Sequence, residues 1–236
     1  MKNQPTGVEL WRGASPATGQ PIVVVLTFDS TNDKTGNIPQ VWILLQEMAP
    51  HTAARTGWDE SVCGNCPHRP VNGGTCYVVL HQAPLGVWKA WTRGNYPRME
   101  SVTPAWMQER IAGRPIRWGA YGDPAMVPAD TFQAVQRLTT GGHRAYTHQW
   151  RQPWAQWLKG LAMASCDSLT DYLAASGDGW KTFRVAPQDR PAETGKQCPA
   201  TIRGSLAQCR SCTQCDGAHG HIWVHAHGQK ASQFTG

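Results

Sequence analysis

Cys63, Cys66 and Cys76 stand at Cys-X2-Cys-X9-Cys spacing within SVCGNCPHRPVNGGTCYV, and Cys198, Cys209, Cys212 and Cys215 stand at Cys-X10-Cys-X2-Cys-X2-Cys spacing. Of the eight cysteines, only Cys166 lies outside these sets. Thiolates are the soft ligands that take zinc or iron-sulfur clusters. Four of them within eighteen residues complete a site without outside help. The tandem of Cys209, Cys212 and Cys215 is closer to iron-sulfur ligation than to a zinc knuckle with well-separated Cys-X2-Cys pairs. The first set supplies three thiolates and leaves a fourth position open, as a cluster with one reactive iron needs. A remote cysteine would also fill that position, Cys198 being the strongest candidate, so one shared cluster and two separate sites both fit the spacing. His68 is either a further ligand or a surface histidine beside Arg69. Cys166 follows an apolar run and reads as a buried thiol, because free cysteine packs as a small hydrophobe. Pro67, Pro70 and the turn at 71–74 let the first loop fold back so that its thiols converge.

The compartment decides how clustered cysteines are read. The first sixteen residues hold no apolar run of the kind an export signal needs, and no window approaches the roughly 20 apolar residues of a membrane helix. The expectation is a soluble cytoplasmic protein in which thiols stay reduced, so that the cysteines mean metal or redox chemistry rather than disulfides. The 22 Lys plus Arg against 16 Asp plus Glu give a net charge of +6. That balance admits nucleic acid or an acidic ligand as partner. The basic residues are scattered (Arg110, Arg114, Arg117, Arg137, Arg144, Arg151) rather than massed, which is the pattern of a solvated surface. The twelve tryptophans read as core and pocket walls, with base stacking as the rarer use.

A scaffold must position these groups. Residues 21–28 and 38–46 read as strands flanking a dense set of turn formers, and the apolar run 76–80 reads as a strand that Cys76 begins. Helix and strand then alternate. A helix at 103–112 opens with Thr103 as N-cap and Pro104 at its first position, and strand 116–123, helix 128–138, strand 144–150, helix 154–159 and strand 161–165 follow. Ser168 and Asp171 have capping-box spacing ahead of another helix, and 180–185 is a further strand. This alternation indicates parallel βα units, and the count favours a closed or partial TIM-barrel-like α/β fold over a doubly wound sheet. Residues 1–197, with the loop 61–78, form the barrel-like domain on this reading, and 198–236 a Cys/His-rich tail packed on its rim.

Polar groups gather at the strand ends, the edge where ligands bind in such folds. Asp123, His148 and Arg184 are the candidate catalytic residues of a pocket there: Asp123 to accept a proton or orient a ligand, His148 to shuttle a proton, Arg184 to hold an anion. Each also has a plain structural use. Asp123 can cap the turn after it, His148 can be satisfied by backbone, and Arg184 can face outward. In the tail, His219, His221, Trp223, His225 and His227 alternate with Ile222, Val224 and Ala226. An edge strand with histidines in water is expected there, a second metal patch being the alternative.

The ordered segments CGNCPHR with GTCYV, VWKAWTRGNYP, IRWGAYGDPAMVP, YTHQWR, MASCDS, GWKTFRV and CPAT with CRSCTQCDG resemble an uncharacterised family of phage and prophage proteins, over about residues 30–217. NDKTGNIP, the cysteine loop before VWKAW, the Gly-Asp strand and the terminal cysteines more remotely resemble the phage gene-product-eighty-eight type. The resemblance implies a TIM-barrel-like protein with an iron-sulfur cluster, [4Fe-4S] in type, at the barrel mouth, distantly similar to radical S-adenosylmethionine enzymes. Cys63, Cys66 and Cys76 match its first cysteine motif, and Cys198, Cys209, Cys212 and Cys215 its last. The X2 and X9 spacing departs from the Cys-X3-Cys-X2-Cys of those enzymes, and no glycine-rich motif for a methionine moiety is evident. The expectation is therefore an iron-sulfur protein of unassigned reaction, with a small-molecule or redox partner and no membrane association. A zinc protein that binds nucleic acid is the alternative.

Overall fold

The structure, a computed structural model, describes residues 4–228 and 230–235. Its first sheet runs β1 (Gly7–Ala14), β2 (Pro21–Thr27), β3 (Gln40–Leu45), β4 (Ile116–Tyr121) and β5 (His143–Arg144), in that order. β1, β2 and β3 are antiparallel, whereas β3, β4 and β5 are parallel. The apolar runs of β2 and β3 are buried on both faces, which is why they read as continuous rather than alternating strands.

The second sheet is parallel throughout. It consists of β6 (Tyr146–Thr147), β7 (Met163–Cys166), β8 (Thr182–Ala186), β9 (Lys196–Gln197) and β10 (Ile222–His225), in the spatial order β6-β7-β8-β10-β9. β5 and β6 are two pieces of one extended stretch, broken at Ala145. The Ala145 N–H leaves the ladder for the Cys215 carbonyl, at 3.3 Å, while the Ala145 carbonyl accepts from Met163 N at 2.9 Å. The break lets one stretch serve both sheets. The α/β class and the parallel units hold, but among the described residues the two sheets do not close into a barrel.

Among the described residues there are six α-helices: α1 (Pro50–Thr56), α2 (Glu60–Cys63), α3 (Ala83–Thr92), α4 (Pro104–Ile111), α5 (Ala129–Gln136) and α6 (Leu169–Gly177). The two N-caps expected from the sequence form. Thr103 Oγ1 accepts from Trp106 N at 3.2 Å, and Ser168 Oγ from Asp171 N at 3.1 Å. Trp118 stacks on Phe132 at 4.3 Å between β4 and α5, with its indole N–H on Gln136. None of these helices is long and apolar enough to cross a membrane.

Three expected elements differ. Residues 76–80 form no strand: Val78 and Leu80 pack half-buried against the core, while the Cys76 N–H turns back to the His68 carbonyl at 3.1 Å. The helix expected at 154–159 is a 3-10 segment, Pro153–Leu158. The tail strand is not an edge but sits between β8 and β9, so residues 198–236 supply an interior strand of the second sheet rather than only a rim. Ile222, Trp223 and Val224 are correspondingly buried.

Candidate metal centre

Cys63 ends α2, which is docked on the end of β4 by the Asp123 N–H to Val62 carbonyl bond at 2.7 Å. The next residue, Gly64, has φ 58 and ψ −143, and a Cβ there would lie 2.4 Å from Gln149 Oε1. Glycine is therefore required where the loop meets Gln149. Gln149 itself is buried and clamps the loop, donating Nε2 to the Cys63 carbonyl at 3.0 Å and accepting from Asn65 N at 3.4 Å. Arg69 grips from the other side, with Asp59 and the carbonyls of Gly57 and Gly64 as acceptors. The chain then folds back at Gly74, so close to the His68 backbone that a Cβ would meet it at 2.3 Å. Cys66 and Cys76 thereby come beside Cys63. Burial pushes the Cys63 thiol well up, and neighbouring Cys66, Asp59 and Cys76 push the same way. Burial likewise raises Cys76. Beside these thiols the buried Tyr121 hydroxyl has no hydrogen-bond partner among the described residues.

The second set is built from the opposite end of the chain. Cys198 is tied to β10 by its N–H to the Trp223 carbonyl at 2.8 Å. Residues 208–210 lie against the early loop through Gln208 Nε2 to Asp33 O, Cys209 N to Lys34 O and Arg210 N to Thr35 O. Cys215 is buried with Met163 and Ile222, and its carbonyl takes the Ala145 N–H. Burial pushes Cys215 up to about 12, with Cys198, Cys209 and Cys212 as charged neighbours that add to the rise. Burial also raises Cys198 and Cys209, and for Cys209 the guanidiniums of Arg117 and Arg144 oppose it. For Cys63, Cys76, Cys198, Cys209 and Cys215, the other cysteines whose charge weighs on the thiol come from its own set.

Of the three candidate catalytic residues, two reach the same cavity. Asp123 is buried and accepts from Ala125 N at 3.0 Å and from His148 N at 2.8 Å, so it caps one turn and anchors another. Burial raises its pKa. Alanine at Asp123 is expected to cost about 2–4 kcal/mol in urea unfolding, because two buried N–H groups lose their acceptor. Asparagine, which keeps an oxygen for one of them, is expected to cost about half as much. His148 places Nδ1 3.5 Å from Cys66 Sγ and Nε2 3.6 Å from Asp167. Burial pushes its imidazolium down, but Cys66 and Asp167 outweigh burial and leave its pKa well above the usual range. Arg184 stands apart. Its neighbours Phe183 and Val185 point into the cavity, while its own guanidinium goes to Glu193. His68 lines the cavity, and Cys166 is buried away from it. The tail histidines take separate partners: His219 on Asp216, His221 on Thr182 and His225 on the Pro187 carbonyl.

All seven clustered cysteines line one cavity of about 310 Å³, whose other walls include residues of β4, β6, β7, β8 and β10 and of the early loop at 32–35. Among the described residues no three cysteine sulfurs lie within 4.8 Å of one another. The all-thiolate donor sets, Arg117 and Arg144 beside Cys209 and the unpaired Tyr121 hydroxyl fit a larger anionic group. Gln149 and Arg69, which hold the first loop, carried no signal in the sequence beyond their positions beside a predicted strand end and a predicted ligand. Comparison of the chain with protein-family models, curated proteins and solved structures gave no match.

Proposed function

We propose that the chain is an iron-sulfur protein holding two [4Fe-4S] clusters at opposite walls of one ligand cavity, on an open βα-barrel scaffold. One observation carries the reading: seven thiols, delivered by two separate segments of the chain, line a single cavity. Cys198, Cys209, Cys212 and Cys215 supply four ligands, while Cys63, Cys66 and Cys76 supply three and leave one coordination position toward the cavity. Bound there, a cluster supplies one-electron transfer and, at an iron lacking a thiolate, a place for a small molecule to coordinate. Arg117 and Arg144 offset the negative charge of the four-cysteine set. The apolar walls Phe183, Val185 and Val224 exclude water, and the Tyr121 hydroxyl is free to donate to whatever lies beside Cys63 and Cys76. The open set and the room beside it favour a redox enzyme acting on a small molecule over a sensor with closed clusters.

Anaerobic purification, an absorbance spectrum and assay of iron, sulfide and zinc test the proposal. A brown protein with a broad visible band bleached by dithionite, and roughly eight irons and eight sulfides per chain, is the expected result. A colourless protein with stoichiometric zinc would overturn it and bring nucleic-acid binding forward, to be tested by the salt dependence of binding.

A further inference from the structure

We propose that His68, His148 and Asp167 form a mononuclear site for a divalent first-row transition-metal ion, distinct from the cysteine sets and opening on the same cavity. Three different segments bring these residues together: His68 from the cysteine loop, His148 from the end of β6 and Asp167 from the end of β7. One ligand atom from each lies within 4.8 Å of the other two. His68 Nε2 is 2.9 Å from Asp167 Oδ1, and His148 Nε2 is 3.6 Å from Asp167 Oδ2. Metal–ligand bonds of about 2.1 Å place neighbouring donors about 3.0–3.4 Å apart, so the separations suit one ion.

The orientation of the rings points the same way. His68 engages its Nδ1 with Thr75 Oγ1 at 2.9 Å, and His148 engages its Nδ1 with Cys66 Sγ at 3.5 Å. A metal-binding histidine has its second nitrogen held in this way, which fixes the ring and leaves the other lone pair free. The facing atoms are not satisfied by each other. Among the described residues, Asp167 Oδ1 and His148 Nε2 are both buried without a hydrogen-bond partner, although Oδ1 lies only 2.9 Å from His68 Nε2. A simple ion pair between aspartate and histidine would align an N–H with that oxygen. Three ligand atoms that lie this close without such an alignment leave room for a cation between them. Two imidazoles and one carboxylate with remaining positions open form a donor set for Fe2+, Mn2+ or Zn2+, with exogenous ligands entering from the cavity.

The test is Co2+ binding to the full-length, anaerobically purified protein, followed by equilibrium dialysis and cobalt X-ray absorption, which iron does not obscure. One equivalent of Co2+ in a nitrogen and oxygen shell with imidazole scattering is expected. Asp167→Asn and His68→Gln are each expected to weaken binding at least about tenfold while iron and sulfide per chain stay unchanged. A sulfur shell, no binding, or undiminished affinity in a folded Asp167→Asn protein would overturn the site. Should that variant fail to fold, the absorption spectrum of the unsubstituted protein decides alone. The outcome is independent of the clusters, since a chain without iron that still binds Co2+ through imidazoles keeps this site and loses the other reading.

Discussion

Serine at both Cys63 and Cys66 is expected to remove about four of roughly eight irons per chain and leave the remainder in place. The geometry behind this number is the separation of the thiols into two sets, each electrostatically coupled within itself. A single cluster shared between Cys198 and the first loop would instead lose all iron in the same protein. Serine at Cys209 and Cys212, both half-buried, is the reciprocal change and should remove the other half. Because ligand convergence and loop folding are coupled, the Cys63/Cys66 change should also lower unfolding stability by more than about 4 kcal/mol relative to the loaded protein. Iron, sulfide and denaturant midpoints measured on the same preparations separate loss of a cluster from loss of the fold. Full retention of iron in the Cys63/Cys66 protein would end the assignment of the first set.

That the two cysteine sets meet at one cavity was foreshadowed by residue type and short-range spacing. The strands β2, β3, β4, β7 and β8 were legible for a related reason: their apolar runs are bounded by turn residues, and α4 and α6 carry caps whose hydrogen bonds span only three residues. β1 was not. In Gly7–Ala14 the buried Glu9 interrupts the apolar run, and it is met by Arg12 of the same strand and, from elsewhere in the fold, by Arg98 and the Trp91 indole. The run 76–80 misled for the opposite reason, since an apolar stretch with no ladder partner packs as a loop. Nor does any local pattern say that β10 enters between β8 and β9, which is what carries Cys198 to the cavity. Asp123 and His148 were legible as strand-end polar residues, but that Arg184 is buried on the side of β8 away from the cavity depended on the register of that strand. Gln149 and Arg69 act through contacts with backbone remote in space, and single-sequence patterning holds no trace of such contacts.

Methionine at Arg69 is expected to be the most damaging change outside the cysteines, at about 3–5 kcal/mol. The guanidinium is 7% exposed and the Asp59 it faces only 2% exposed. Removing it leaves a buried carboxylate unpaired and takes the donors from the Gly57 and Gly64 carbonyls, which hold the two ends of the loop that presents Cys63. Burial already raises the Asp59 pKa, and the bonds from Arg69 are what oppose it. Without them the folded-state pKa rises further above the unfolded value of about 3.9, so the unfolded chain ionises first as pH rises. Stability of the variant should therefore fall as pH climbs from the unfolded pKa through the raised folded pKa, and the cost should shrink in acid. Adding Asp59→Asn removes the uncompensated charge and is expected to restore about 1–3 kcal/mol, a coupling that urea unfolding of both single variants and the double variant reads directly. Iron held by the first set should fall with the Arg69 change while that held by 198–215 stays. A loss under about 1 kcal/mol, or one that does not depend on Asp59, would show that the loop is held by its metal and not by this ion pair.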